Sequence, residues 1–142
     1  MQENEIGGLL KKINTITEKK INRELSAWGI TFSQYRFLRY LNSRGGKGIL
    51  FRELEQHFDV SQPTVTGIVK RLSAKNLVFL EKCRENPHFK TVNLTEKGRS
   101  LSRTLNQKKE KLDEDTLAYL NEEEIASLQE YLTKVYESLK NS

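Results

Sequence analysis

Residues 60–72 read VSQPTVTGIVKRL, and no other stretch limits the possible folds as tightly. Val65, Ile68, Val69 and Leu72 fall at i, i+3, i+4 and i+7, the spacing of one buried stripe on a helix. Ser61 stands where an N-cap hydroxyl would accept amide protons of the first turn. Pro63 follows inside that turn, where its missing N–H costs nothing. The opposite side gathers Pro63, Thr66, Gly67, Lys70, Arg71 and Ala74, with Gln62 and Thr64 nearer the helix start. Two readings fit that face. It is either the plain polar outside of an amphipathic helix, or a face built for close approach to another surface.

The second reading has specific chemistry. Short side chains at a helix start let the backbone come near a partner. Threonine can hydrogen-bond phosphates or base edges, and its methyl can meet a thymine methyl. Gln62 can pair bidentately with adenine, while Lys70 and Arg71 suit phosphates. The helix N-terminus itself favours an anion.

The neighbouring segments place this helix in a recognisable order. Apolar residues from Ile6 to Trp28 recur near helical spacing, predicting a long amphipathic helix over 4–28 stopped at Gly29. Residues 31–43 start with a Thr31/Ser cap candidate and carry Phe32, Tyr35, Leu38 and Leu41 on one side. RGGKG at 44–48 is a loop, 49–50 a very short strand, and Phe51, Leu54 and Phe58 define a short helix over 51–58. After the tight Asp59-Val60 connection comes the 61–75 helix, with Asn76 as a left-handed cap. VFLEKC (78–83) and KTVNL (90–94) alternate as strands around RENPHF, which predicts a two-stranded hairpin. A helix then runs from Thr95 to about residue 119. Asn121 and Glu124 form a capping-box pattern before a last helix striped by Ile125, Leu128, Leu132, Val135 and Leu139.

The expected fold is therefore mainly α with a small β-hairpin wing: a winged helix-turn-helix flanked by N- and C-terminal dimerisation helices. The expected division is 1–30 for an N-terminal dimerisation helix, 31–100 for the DNA-binding winged helix-turn-helix and 101–142 for C-terminal dimerisation helices, all one continuous unit. The terminal stripes exceed what a small central domain covers, and the 125–139 stripe keeps a heptad period, so pairing with a second copy is expected. Packing back within one chain is the alternative.

Charge supports the placement of function. Net charge is +5 over the whole chain, and residues 31–100 hold thirteen Lys/Arg against six Asp/Glu, while 101–142 hold six against nine. A polyanion would be bound by the middle. The hairpin adds Lys82, Arg84, His88 and Lys90, which are either a solvated tip or residues laid into a minor groove.

The run LEQHFDVSQPTVTGIVKRLSAKNLV, then a hairpin, then VNLTEKGRSL, resembles the MarR family of bacterial winged-helix regulators. ITFSQYRFLRYL is similar to that family's second helix and the tail to its two-helix dimerisation arm, so the resemblance covers nearly the whole chain. It implies a homodimer whose recognition helices enter successive major grooves of a pseudo-palindromic operator, with wings in the flanking minor grooves. Carried over by position, Ser61, Gln62, Thr64 and Thr66 lie on the recognition helix. The family often has Asp-x-Arg at the wing tip. Asn86-Pro87-His88 stands there instead, leaving Arg84, His88 or Lys90 for the minor groove. Gly67 replaces a frequent Arg and Lys70 stands where an acid is common, so a shifted base preference is expected. The resemblance also implies a small aromatic or anionic effector, for which Trp28, Tyr35, Phe37 and Tyr40 either line a pocket or form plain core.

Other function classes find less support. Cys83 is the single cysteine, so no intrachain disulfide is possible, and on a strand it reads as a packing residue rather than a redox sensor. His57 and His88 are far apart, with no ligand cluster at metal spacing, and no metal or other cofactor is expected. No paired-carboxylate, Ser/His/Asp or Gly-rich phosphate-loop signature points to an enzyme. No stretch is apolar enough to span a membrane, and the expected setting is the cytoplasm. The expected function is sequence-specific binding of double-stranded DNA by a transcriptional regulator, most simply a repressor relieved by an effector. The competing class is a winged-helix module that binds another protein.

Overall fold

A computed structural model describes residues 2–142, with side chains from Glu5 onward. Six helices and three short strands follow in the order α1 (Gln2–Ser26), α2 (Phe32–Ser43), β1 (Ile49–Leu50), α3 (Phe51–Phe58), α4 (Gln62–Ala74), β2 (Val78–Lys82), β3 (Lys90–Leu94), α5 (Glu96–Thr116) and α6 (Glu122–Lys140). The expected elements are all present. The chain divides into two compact units, residues 1–108 and 109–142.

Local chemistry explains the boundaries. α1 stops at Ser26, and Gly29 follows at φ 67, a left-handed position that costs a residue without Cβ little. Thr31 then caps α2 in a full capping box: its side chain accepts from the Gln34 amide, and the Gln34 side chain returns to the Thr31 amide. α3 closes at Asp59 (φ 51) and α4 at Lys75 with Asn76 next (φ 59), two short polar residues that tolerate this region. α5 ends at Thr116, three residues short of the expected end. Asp113, Glu114 and Asp115 crowd its last turn, where the helix dipole disfavours negative charge; that turn holds no basic residue of its own, and Lys109 and Lys111 of the preceding turn pair with Asp113 and Asp115. Asn121 and Glu124 then make the predicted capping box for α6.

In the first unit the core lies beneath α4. Leu38 and Leu41 of α2, Leu54 of α3, Val65, Val69 and Leu72 of α4 and Val92 of β3 are essentially inaccessible. Phe32, expected on the buried side of α2, is exposed, and Phe37 is buried in its place, its ring stacked on Phe58 of α3 at 4.4 Å. The reason is that α2 packs on both α1 and α4 and so buries a wider face than one stripe.

The sheet is larger than the expected hairpin. Its order is β1-β3-β2, both pairings antiparallel, with Ile49 opposite Val92 and Leu80 opposite Val92 on the other side. β1 is recruited because the loop before it is pinned: the Gly48 amide donates to Oδ1 of buried Asn93 (2.8 Å), and the Leu94 amide donates to the Gly46 carbonyl. β2 does not alternate in burial. Only Val78 is buried, while Phe79 and Leu80 are both about two-fifths exposed.

Gly98, in the first turn of α5, explains the LTEKG segment physically. A Cβ there would collide with the Leu77 carbonyl oxygen and crowd Leu94. The Thr95 hydroxyl accepts from the Gly98 amide and donates to the Asn76 carbonyl, so α5 starts hard against the end of α4.

In the second unit, Leu117 of the α5–α6 turn and Ile125, Leu128, Leu132 and Tyr136 of α6 line an apolar surface groove of about 380 Å³. Of the apolar residues on α6, Leu132, Val135, Tyr136 and Leu139 are each more than two-fifths exposed, and so are Ile6, Leu9, Leu10, Ile13 and Ile16 of α1.

Arg44, Glu53 and Tyr40 tie α3 to the end of α2. Arg44 Nε (2.6 Å) and the Tyr40 hydroxyl (2.5 Å) both donate to Glu53 Oε2. The Arg44 bond first, then the Tyr40 bond, holds the Glu53 carboxyl below its ordinary value of 4.5. The stabilisation is complete above that ordinary value and disappears as pH falls through the lowered one. Glu53→Gln should therefore flatten the acid limb of the stability curve, measured by urea unfolding at stepped pH below 5. Gly98→Ala should cost roughly 1–3 kcal/mol, the range for overpacking against a backbone that cannot yield, read as a lowered urea midpoint at unchanged slope.

Candidate nucleic-acid interface

The recognition-type helix is held from beneath and left bare on top. Val65, Val69 and Leu72 are at most 1% exposed, whereas Ser61, Gln62, Pro63, Thr64, Thr66, Lys70 and Arg71 are exposed. Burial of three such side chains contributes about 1.5–3 kcal/mol each, which fixes the rotation of the helix without any help from its outer face. Ser61 caps as expected: its oxygen accepts from the Thr64 amide (3.4 Å) and lies 3.0 Å from the Thr64 hydroxyl. Thr64 is thus partly engaged in the cap, and Gln62 and Thr66, one turn apart, are the freer polar groups.

Gly67 and Arg71 form a pair. The Arg71 guanidinium folds back over Gly67, so that a Cβ at 67 would lie 3.3 Å from Arg71 Nη1. The bare position gives the arginine head room to lie along the helix.

The C-terminal end of α4 is anchored to both flanking helices. Lys75 Nζ donates to the Gly29 carbonyl and to Oε1 of buried Gln34 (3.1 Å), while Lys97 Nζ donates to the Lys75 carbonyl (3.2 Å). These contacts link the α1–α2 corner and the start of α5 to the position of α4. Lys75 stands in the RL-x-x-K-x-L-V ending (71–78) by which the sequence resembles the family, but nothing in its spacing marks a lysine that reaches 46 residues back along the chain.

The wing residues Arg84, His88 and Lys90 are exposed, and the turn is closed by Asn86, whose carbonyl oxygen accepts from the Phe89 amide and whose side chain accepts from the His88 amide. Cys83 is half-buried and donates to Glu85 (3.1 Å). That hydrogen bond holds the Glu85 carboxyl below its usual value.

The structure brings part of the predicted set together. Gln62 and Thr66 of α4 face His88 and Lys90 of the wing across a groove of about 580 Å³. Arg52 and Glu55 of α3 and Leu80 and Phe89 of the wing line the same groove. None of these four was singled out from the sequence. An aromatic in a turn segment was the available signal for Phe89. Arg52 carried none, because its facing depends on how α3 meets the sheet.

The four aromatic residues considered for an effector pocket point different ways. Trp28 is half exposed in the α1–α2 turn. Tyr35 is buried and its hydroxyl donates toward Asn106 of α5 (3.4 Å). Phe37 stacks on Phe58, and Tyr40 stacks on His57 with its hydroxyl on Glu53. Tyr35 and Phe37 are core residues, and the burial of their rings supports the packing reading for this pair.

Among the described residues no group of three or more His, Cys, Asp or Glu side chains is placed to hold a metal ion, and no helix is long and apolar enough to cross a membrane.

Comparison with known proteins agrees with this geometry. Residues 28–86 match the model of the MarR family. No curated protein matches the chain by sequence. Among solved structures, MepR of Staphylococcus aureus, a transcription regulator of the multidrug efflux pump MepA, is similar with a TM-score of 0.77 at 24% identity, covering 92% of this chain and 96% of that one. MepR in its DNA complex gives 0.77 at 24% identity, over 92% and 94% of the two chains. MepR bound to ethidium bromide gives 0.69 at 24%, over 92% and 94%. The transcriptional regulator SlyA gives 0.76 at 21%, over 93% and 92%. The shared feature is the winged-helix fold.

Gly67→Ala tests the Gly67–Arg71 pairing. Replacing a mid-helix glycine should stabilise the protein by about 0.5–1 kcal/mol, because the guanidinium is mobile enough to move aside. A rise in the thermal midpoint with altered Arg71 side-chain NMR shifts is the expected result. A fall would mean the approach at 67 is stricter than a flexible arginine head.

Proposed function

We propose that this chain, whose residues 28–86 match the MarR family model, is a MarR-type, sequence-specific double-stranded-DNA-binding transcriptional regulator that acts as a homodimer. The observation that carries the reading is the bare outer face of α4. Val65, Val69 and Leu72 of its apolar stripe are buried in the core with Ile68 partly buried beside them, and Gln62 and Thr66 share one groove with His88 and Lys90 of the wing.

Each residue then has a task. Gln62 and Thr66 read base edges in the major groove. Lys70 and Arg71, further along the helix, neutralise phosphates, as do Arg84 and Lys90 on the wing. Ser61 and Thr64 hold the helix start in shape. His88 lies at the wing tip toward the minor groove. A structure of similar fold, MepR, is known in complex with DNA, which supports a DNA-binding reading.

The dimer reading rests on the exposed apolar stripes of α1 and α6. Exposed apolar side chains such as Ile6 and Leu9 along α1, and Val135 and Leu139 along α6, mark an interaction surface on each helix. A twofold pair presents two recognition helices to half-sites one helical turn apart. In this reading residues 1–30 and 101–142 supply the dimer arms and 31–100 the DNA-binding part. Repression by operator occupancy is the simplest outcome. A small aromatic or anionic effector would relieve it by changing the spacing of the two helices. The structure of MepR with ethidium bromide supports a small-molecule effector.

Selection of bound sites from random duplex DNA tests the reading. An inverted repeat with half-site centres about 10 base pairs apart is expected. On the selected site, Gln62→Ala should relax preference at one base pair by about 1–3 kcal/mol, whereas Arg71→Ala should weaken all sequences alike. No enrichment of any sequence would remove the core of the proposal.

A further inference from the structure

We infer that the groove between α4 and the wing is the seat of a DNA sugar–phosphate strand, with Arg52 of α3 as its phosphate ligand and Phe89 and Leu80 as its sugar-packing wall. This deepens the proposed function and rests on it.

The placement follows from duplex geometry. A major groove and its neighbouring minor groove are separated by one sugar–phosphate strand. A helix in the first and a wing in the second must therefore straddle that strand. In this protein the space between those two elements is an open groove of about 580 Å³, with Gln62 and Thr66 on one bank and Phe89 and Lys90 on the other.

The lining has the mixed character that such a strand requires. Phosphates are anionic, and deoxyribose presents an apolar face. Arg52 and Lys90 supply cations, and among the described residues neither makes an ion pair. Leu80 is 40% exposed and Phe89 is 52% exposed, so both offer apolar surface along the groove. A sugar ring seated against them removes that surface from water. Glu55 shares the groove wall one turn from Arg52, and no ion pair joins the two. Its carboxylate repels a phosphate, so it weakens backbone binding and leaves Arg52 as the attractive group on α3. A small anionic aromatic ligand is the rival occupant. The DNA strand is favoured because the groove lies between the two elements that the duplex itself must separate.

The experiment measures DNA affinity against salt for the full-length protein on its selected duplex, with folding checked by circular dichroism. Arg52→Gln should lower affinity about tenfold on every sequence. It should also reduce the slope of log K against log salt by about 0.9 for each bound subunit. Phe89→Ala should weaken binding with the slope unchanged, and Phe89→Leu should restore much of the loss. Glu55→Gln should tighten binding without changing sequence preference. Ethylation of the phosphate between the contacted major-groove bases and the flanking minor groove should interfere with wild-type binding but not add to the Arg52→Gln defect. If the wild-type protein binds its duplex while Arg52→Gln and Phe89→Ala match it in affinity and slope, the groove assignment is overturned and the regulator reading stands. If the wild-type protein enriches no duplex at all, the regulator reading falls and takes the groove assignment with it.

Discussion

Burial of Val65, Val69 and Leu72 against Leu38, Leu41 and Leu54 is the constraint on which the arrangement depends. These contacts set the rotation of α4 about its axis, and so decide which residues face outward. A cap such as Ser61 is worth about 0.5–2 kcal/mol and fixes only where the helix begins. The stripe is worth several times as much, even as an upper estimate from area. Because the core determines the pose of α4, its outer face need not contribute to stability. It is free to carry glutamine, threonine and glycine, which serve a partner better than they serve a fold.

The ends of α4 are managed with the same economy. At its start, Ser61 and Thr64 close the cap, leaving Gln62 and Thr66 exposed. At its end, Lys75 reaches the α1–α2 corner, while Thr95 and Lys97 of the α5 start reach back to Asn76 and Lys75. Gly98 permits that approach because no Cβ stands between α5 and the Leu77 carbonyl. The helix proposed to read DNA is thus joined at its far end to the turn between α1 and α2 and to the first turn of α2.

Much of the fold was legible because its signals are local. Thr31, Ser61 and Asn121 cap helices where their residue types require, and Asn76 takes the left-handed position foreseen for it. The periodicity of α4 and α6 located both helices within a residue or so. The misreadings arose where burial depends on distant segments. Phe32 and Phe37 differ by five positions on one helix, and only the packing of α1, α3 and α4 around α2 decides that Phe37 goes inside. Strand alternation in VFLEKC implied one buried face, yet Leu80 and Phe79 are both exposed, because β2 is an edge strand and only its first residue, Val78, reaches the core.

The sequence by itself determined the element order, the caps, the basic middle and the polar face of α4, since these follow from residue type at fixed short spacing. It also placed Gln62, Thr66, His88 and Lys90 as candidates. Tertiary structure alone decided that these four border one groove, that Arg52 and Phe89 join them, and that β1 completes the sheet. The physical reason is separation along the chain. Arg52 and Lys90 are brought to one groove by the β1–β3 pairing and the packing of α3 on α4, and no local pattern encodes a meeting that depends on closing the intervening loops.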